Sequence, residues 1–132
     1  MADNTTSVTL KVKDFEEREV YSFDYSFDQA TGVDGQIDGN PRGGCITVVV
    51  KAMNDGNNQL LQWMLEPDTA RDVEIISLNT KDGSVKKTVK ATTAYCCHFK
   101  ENWIDGQMHT ETITLTCQTL SVGTVEFKNK WA

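Results

Sequence analysis

From Glu19 to Asp28 the chain alternates without a break, setting Tyr21, Phe23, Tyr25 and Phe27 on one side and Ser22, Asp24, Ser26 and Asp28 on the other. Successive side chains of a strand point to opposite faces, so this period of two specifies a half-buried β-strand and excludes a helix. An aromatic stripe at strand spacing belongs to a core, with the floor of a ligand pocket as its competing use. Ser7 to Lys13 repeats the pattern with Val8, Leu10 and Val12. These two segments are expected to pair across a turn at Asp14 to Arg18.

The remainder continues in the same idiom. Cys45 to Met53 carries Ile46, Val48, Val50 and Ala52 on one face and reads as a central strand. The run Asn54-Asp55-Gly56-Asn57-Asn58 offers N-cap residues, and Leu60, Leu61, Met64 and Leu65 follow at helical spacing until Pro67, which predicts one helix of about ten residues. Val73 to Leu78 is a buried strand, Lys81-Asp82-Gly83-Ser84 a hairpin turn, and Val85 to Phe99 a long strand. In that strand Val85, Val89, Ala91, Tyr95, Cys97 and Phe99 share one face and Lys86, Thr88, Lys90, Thr92, Cys96 and His98 the other. His109 to Leu120 points Ile113, Leu115 and Cys117 one way and Thr110, Thr112, Thr114, Thr116 and Gln118 the other. Thr124 to Trp131 closes the chain. The expectation is a mainly β protein: a closed or nearly closed barrel, or a sandwich, of about seven strands with one short flanking α-helix and a long extended loop.

That loop covers residues 29–44, with turn-formers at nearly every other position and no apolar period. Connections longer than about 12 to 15 residues are uncommon in compact domains and tend to be functional or disordered, so the loop is a candidate contact surface. Its Val33 and Ile37 are candidate apolar contacts, Asp34, Asp38 and Arg42 would set register, and Pro41 fixes one corner.

With 132 residues, of which 39% are hydrophobic, the chain closes one core, and residues 1–132 are taken as a single domain. A net charge of -6 with thirteen scattered Lys and Arg argues against nucleic-acid binding, which needs clustered cations. Met1 to Thr6 lacks the basic and apolar regions of a Sec-type signal. No apolar run reaches the ~20 residues of a membrane-spanning helix, so membrane insertion is not expected. The chain is expected to begin in the cytoplasm, and any export must read folded structure.

The chemistry-bearing residues argue against an enzyme. Cys45, Cys96, Cys97 and Cys117 lack C-x-x-C spacing and are expected to be free thiols in a reducing compartment. In Cys96-Cys97-His98, strand alternation puts Cys97 in the core with Cys96 and His98 exposed, which separates nucleophile from base. Cys45, Cys117 and His109 do not supply zinc spacing. Asp34-Gly35 and Asp38-Gly39 loosely resemble calcium loops, and Asp24 and Asp28 could join a carboxylate pair, but EF-hand spacing fails and turn residues are the better reading. No catalytic, cofactor or metal residue is therefore assigned. The face Thr110, Thr112, Thr114, Thr116 and Gln118 is polar, nearly uncharged and β-forming. It suits solvent, or the wet wall of a pore, where strong charge would trap cargo.

Three groups of residues together resemble the Hcp tube proteins of type VI secretion systems, in the TssD form typical of Bacteroidota. They are Tyr21 to Phe27 followed by Asn40-Pro41-Arg42-Gly43-Gly44 before an Ile/Val strand; Leu60 to Met64 closed by Pro67, then Lys81-Asp82-Gly83; and Ala94-Tyr95-Cys96 followed by Thr112-Ile113-Thr114-Leu115 and Asn129-Lys130-Trp131. The order and spacing of these motifs, from about Val8 to Trp131, carry the resemblance.

It implies a barrel-like subunit without catalytic residues or cofactor. Six copies would form a ring, and stacked rings a hollow tube inside a contractile sheath. The tube would be expelled with a spike, sometimes with effector cargo in the lumen. The expected partners are further copies of the chain and the sheath, baseplate and spike proteins. The protein would be cytoplasmic before firing and secreted without a signal peptide afterwards. The loop residues Val33, Asp34, Ile37, Asp38, Pro41 and Arg42 would then stack rings, and the Thr face would line the lumen. A small-ligand or carbohydrate-binding β-barrel is the main alternative, and a thiol-dependent enzyme a distant third.

Overall fold

A computed structural model describes residues 6–29, 31–37, 39, 42–53, 56–104 and 109–129, apart from the side chains of Asp28 and Arg42. Among the described residues seven strands and one helix follow in the order β1 (Thr6–Val12), β2 (Arg18–Asp28), β3 (Arg42–Lys51), α1 (Gln59–Leu65), β4 (Arg71–Asn79), β5 (Val85–Trp103), β6 (His109–Val122) and β7 (Val125–Lys128). The strands join antiparallel in the order β3-β2-β1-β4-β5-β6-β7, and β3 also pairs with β6. That second pairing closes β1 to β6 into a barrel and leaves β7 as an extra strand on the far half of β6, opposite Thr119 to Val122.

Closure follows from where the apolar residues point. Leu10, Ile46, Val48, Val50, Val73, Ile75, Val89, Ala91, Ile113, Leu115, Cys117 and Leu120 are all buried and form one cluster. Each comes from the inward-facing set of its strand, so rolling the sheet removes every set from water together. Among the described residues the interior is filled by side chains, and Phe23 and Tyr25 of the stripe pack against them.

The stripe itself is split. A register shift between Val20 and Ser22 interrupts the β2–β3 ladder, so Val20 is buried, Phe23 and Tyr25 pack on the core, and Tyr21 is 43% exposed. Phe27, 40% exposed, instead meets Phe127 of β7 edge-on at 4.9 Å. A bulge adds one residue and reverses which alternate residues face inward, which period counting cannot detect. The expected β1–β2 pairing exists only at Thr9–Glu19 and Leu10–Arg18, while β1 pairs along its whole length with β4.

The helix is seven residues long where about ten were expected, and it buries Leu60 and Trp63. Leu65, expected on the stripe, is 70% exposed. Over two turns the i, i+3 pair containing the large indole covers more of the barrel than the leucine stripe does. Trp63 donates through Nε1 to the Thr69 carbonyl at 2.8 Å, and Phe15 meets its ring edge-on at 6.2 Å.

The long strand β5 departs most from expectation. Its inner residues are Val89 and Ala91, then Ala94 and Cys96, then Phe99. The expected single face therefore breaks twice. At Thr93 the backbone takes a left-handed φ of 54°, and its N–H donates to Asp72 Oδ1 at 3.1 Å. At Cys97 one extra residue sits between the pairs Cys96–Leu115 and His98–Thr114.

Chain direction gives the barrel two distinct ends. One gathers the β1–β2 turn, the β3–α1–β4 connection and the tip of the β5–β6 hairpin. The other gathers the β2–β3 loop, the β4–β5 hairpin and the β6–β7 turn. At the first end Arg18 and Glu111, each 3% exposed, form a buried ion pair, and Arg18 also donates to the Lys51 carbonyl at 2.8 Å. The pair and the bond to Lys51 link β2, β3 and β6 at this end.

Candidate functional site

Strand β6 has two unlike faces. Glu111, Ile113, Leu115 and Cys117 are buried, while Thr110, Thr112, Thr114, Thr116 and Gln118 alternate with them on the outside of the barrel, all half-buried. Across one ladder Thr114 pairs with Thr47, Thr112 with Val49 and Thr110 with Lys51. Across the other, Thr116 pairs with Tyr95, Thr114 with His98, Thr112 with Lys100 and Thr110 with Asn102. Thr47 in turn pairs with Asp24, and Val49 with Ser22. The Thr114 and Thr47 hydroxyl oxygens stand 3.5 Å apart. Together these residues form a wall four strands wide, β2-β3-β6-β5, whose centre is threonine and valine and whose charges, Asp24, Lys51 and Lys100, lie to the sides. β-Branched residues directly opposite one another cover each other's methyl groups, which makes such a wall regular and stiff.

The thiols border this wall. Cys45 and Cys97 are exposed, Cys96 is half-buried and Cys117 buried. This corrects the expected placement, which put Cys97 in the core and Cys96 outside. The bulge at Cys97 turns Cys96 inward and leaves both Cys97 and His98 exposed, so strand alternation no longer separates them. Desolvation pushes the Cys97 thiol above its ordinary pKa, with the nearby Cys45 adding to the effect, and its Sγ donates to the Thr114 carbonyl at 3.3 Å. Burial raises Cys96 and Cys117 from 9.0 to about 11. A protonated thiol is a weak nucleophile and a poor metal ligand. Among the described residues no group of three or more His, Cys, Asp or Glu is placed to hold a metal ion.

The loop between β2 and β3 carries local order that its sequence did not suggest. Thr31 and Ile37 form a β-bridge, the Gly32 N–H donates to the Gln36 carbonyl at 2.8 Å, and Asp34 Oδ1 accepts the Gln36 N–H at 3.1 Å. The resulting small hairpin brings Val33, Asp34 and Ile37 together, with Val33 fully exposed at its tip. Asp38 and Pro41 lie outside the described residues. Arg42 opens β3. Gly43 sits where an added Cβ would come 2.5 Å from the Ser26 carbonyl oxygen, so only glycine permits β2 and β3 to meet at the foot of the loop.

Two features were missed in the sequence. Asn129 donates through Nδ2 to the carbonyls of Gly43 at 3.1 Å and Cys117 at 2.8 Å, joining β3 to β6 where the partner of β6 changes from β3 to β7. At the tip of the β5–β6 hairpin, His109 stacks on Trp103 with ring centres 4.4 Å apart and meets Glu101 at 2.6 Å. Neither has a sequence signature, because each depends on a strand pairing that is distant in the chain.

A family model described as "Hemolysin coregulated protein Hcp (TssD)" matches residues 4–132. Among solved structures, Hcp1 from Flavobacterium johnsoniae superposes with a TM-score of 0.85 at 26% identity, over 93% of this chain and 99% of that one. Hcp1 from Salmonella typhimurium gives 0.75 at 10% identity over 94% and 95%. A chain of the anti-feeding prophage baseplate gives 0.59 at 13% identity over 92% and 94%. No curated protein matches in sequence. The last two likenesses concern the fold.

Proposed function

The chain belongs to the Hcp (TssD) family, a family of structural tube proteins of type VI secretion, and from that premise we propose how its surfaces are used. The protein is a subunit of the type VI secretion tube. Six copies close a ring through heterologous contacts, and the rings stack into a hollow tube. The threonine wall of β6, flanked by β3, β5 and β2, faces the lumen. Thr110, Thr112, Thr114, Thr116 and Gln118 keep that surface wet and weakly charged, so that a folded effector would pass without being held. The β2–β3 loop, with Val33, Asp34 and Ile37, reaches from the strand ends toward the next ring. Sheath, baseplate and spike proteins are the outer partners, and the folded subunit leaves the cytoplasm with the tube.

The match over residues 4–132 carries this reading. The threonine wall supports the assignment of the lumen, since it is the broad regular face of the barrel that lacks a line of charge. Among the described residues the barrel interior is packed with its own side chains, which speaks against a ligand-binding reading that needs an interior pocket. Negative-stain electron microscopy and light scattering on the purified protein test the proposal. Rings of six times the monomer mass are expected. A compact monomer throughout the micromolar range would overturn the ring.

A further inference from the structure

At the first end of the barrel the inner face of the β5–β6 hairpin turns from apolar to charged. Glu101 lies directly opposite Glu111 and Trp103 directly opposite His109, and period two puts all four residues on one face. Glu111 marks that face as the inner one, since it is buried and paired with Arg18 of β2. His109 Nε2 reaches diagonally across the ladder to Glu101 Oε2 at 2.6 Å, with the two side chains 26% and 23% exposed. Its ring lies on Trp103 with centres 4.4 Å apart and planes 23° from parallel. The imidazole thus stands between a carboxylate and an indole at the ends of two strands.

The charges on this face do not balance by themselves. Two carboxylates, Glu101 and Glu111, stand against one guanidinium, Arg18, and like charges directly opposite across a ladder are unfavourable. The other charged groups of the neighbouring elements are turned to solvent or to partners of their own. Lys100 of β5 and Lys51 of β3 stand on the outer face, opposite Thr112 and Thr110, and Lys51 offers this set its backbone carbonyl, which accepts from Arg18 at 2.8 Å. Lys13, Asp14, Glu16 and Glu17 of the β1–β2 turn are exposed, as is Glu19, and Glu66 beyond α1 accepts from Gln62 Nε2 at 3.2 Å. The Ala52 N–H donates to the His109 carbonyl at 3.0 Å, which ties the strand end without adding charge. Among the described residues, a proton on His109 is what answers the second carboxylate, and the same proton sets a cation on the face of Trp103.

We propose that Glu101, His109 and Trp103 form a proton-operated clamp at the tip of the β5–β6 hairpin. Protonated, His109 holds the two strand ends together through Glu101 and the indole. Neutral, it leaves Glu101 facing Glu111 without an answering cation, so the ends of β5 and β6 spread and the covered face of Trp103 meets water. The carboxylate and the indole face that the ring gives up on opening are what couple the proton to the position of the strands. Glu111 stays paired with Arg18 in both states, so the opening stops short of the core. If the subunit is expelled as proposed above, surroundings more acidic than the cytoplasm would stiffen the tip after the tube has been built. The clamp itself does not depend on that reading.

Fluorine NMR of full-length protein carrying fluorotryptophan tests the clamp, with the Trp103 resonance assigned by its loss in Trp103→Phe. The change in its shift between light and heavy water reads how far the indole is solvated. From about pH 5 to about pH 8, the range in which imidazole titrates, that solvent effect should grow as the open tip becomes about threefold more populated. The resonance of the buried Trp63 should not move, which shows that the fold is intact. In His109→Gln, which still offers Glu101 a donor but carries no titrating ring, and in Glu101→Gln, which removes the opposed carboxylate, the profile should be flat. A variant that loses the Trp63 signal is set aside and the other decides. A flat profile in the wild type would overturn the clamp, and so would a slope that survives substitution, which would place the titrating group elsewhere. Light scattering at each pH separates the clamp from assembly: a change that follows protein concentration instead of pH also overturns it. The ring reading stands or falls independently of all these outcomes.

Discussion

Strands β5 and β6 lie side by side and pair from Val89–Val122 to Trp103–His109, yet they do different work. From Glu111 to Cys117, β6 holds one face to the core and one to the outside without interruption. β5 changes its inward set at Thr93 and again at Cys97. A sheet closing on six strands must bend somewhere, and bulges concentrate the bend in one strand so that its neighbour can stay regular. β5, like β2 with its own register shifts, therefore takes up part of the barrel's curvature, and β6 keeps a repeating wall from Glu111 to Cys117. The distinction yields predictions that differ by strand and by face. All stabilities are to be compared at one protomer concentration, since assembly adds to apparent stability.

The largest effect belongs to the inner face of β6. Glu111→Ala leaves Arg18 buried without its partner and should cost about 3–5 kcal/mol in urea unfolding. Leu115→Ala, which empties a fully buried site, should cost about 2–5 kcal/mol. Losses below about 1 kcal/mol at both positions would mean that β6 is not the packed strand described.

The next effect separates neighbours on β5. Cys96→Ser places a hydroxyl against the core and should cost about 1–3 kcal/mol, whereas Cys97→Ser, exposed on the bulge, should stay within about 0.5 kcal/mol. The reverse ranking would restore the unbroken alternation and remove the bulge.

This pair also marks where sequence ceases to be legible. The inner set Ile113, Leu115 and Cys117 and the outer threonines were readable because period two survives in β6. In β5 the same counting misplaced Cys96 and Cys97, because the added residue is neither Gly nor Pro and its position answers to closure of the barrel. The Thr93 irregularity is held by Asp72, on another strand. In β2 the same mechanism exposed Tyr21. The strands and hairpin turns, whose signals are local, emerged with shifted ends. Contacts made by Asn129 and Trp103 required the folded topology. The threonine wall was visible as a face, but its width across β2, β3 and β5 depended on pairings no local pattern encodes.

A smaller effect should be seen at alkaline pH. Burial raises Cys96 and Cys117 from 9.0 to about 11 in the folded protein, so the unfolded chain loses these protons first. Their contribution to stability is whole below about pH 9 and is lost as pH rises through 9 toward about 11. Unfolding midpoints measured across that range should fall less steeply in Cys96→Ala and Cys117→Ala than in the parent. An unchanged slope in both would show that neither thiol is shielded from solvent in the folded state.

A modest effect on folding, and the one that most sharpens the contrast, lies on the outer face of β6. Thr112→Lys and Thr116→Lys place cations beside Val49 and Tyr95, where each side chain can extend away from the barrel, so neither buries charge nor breaks a ladder bond. Strand propensity, the loss of cross-strand methyl contact and the like charge of Lys100 opposite position 112 should together cost about 1–2 kcal/mol, less than the inner-face variants. Repeated six times around a ring, the same substitutions would line a narrow space with six ammonium groups at each of two levels about 13 Å apart along the strand, where fields add and screening is incomplete. Rings should still close, because the wall lies away from the barrel core, but passage or retention of an acidic protein through the lumen should change with salt. Thr116→Ser, which keeps the hydroxyl and adds no charge, should behave as the parent in both measurements. If the lysine variant unfolds at much lower denaturant, the face is packed against something and is not a wall; if its rings handle cargo as the parent does at every ionic strength, the wall faces away from the lumen.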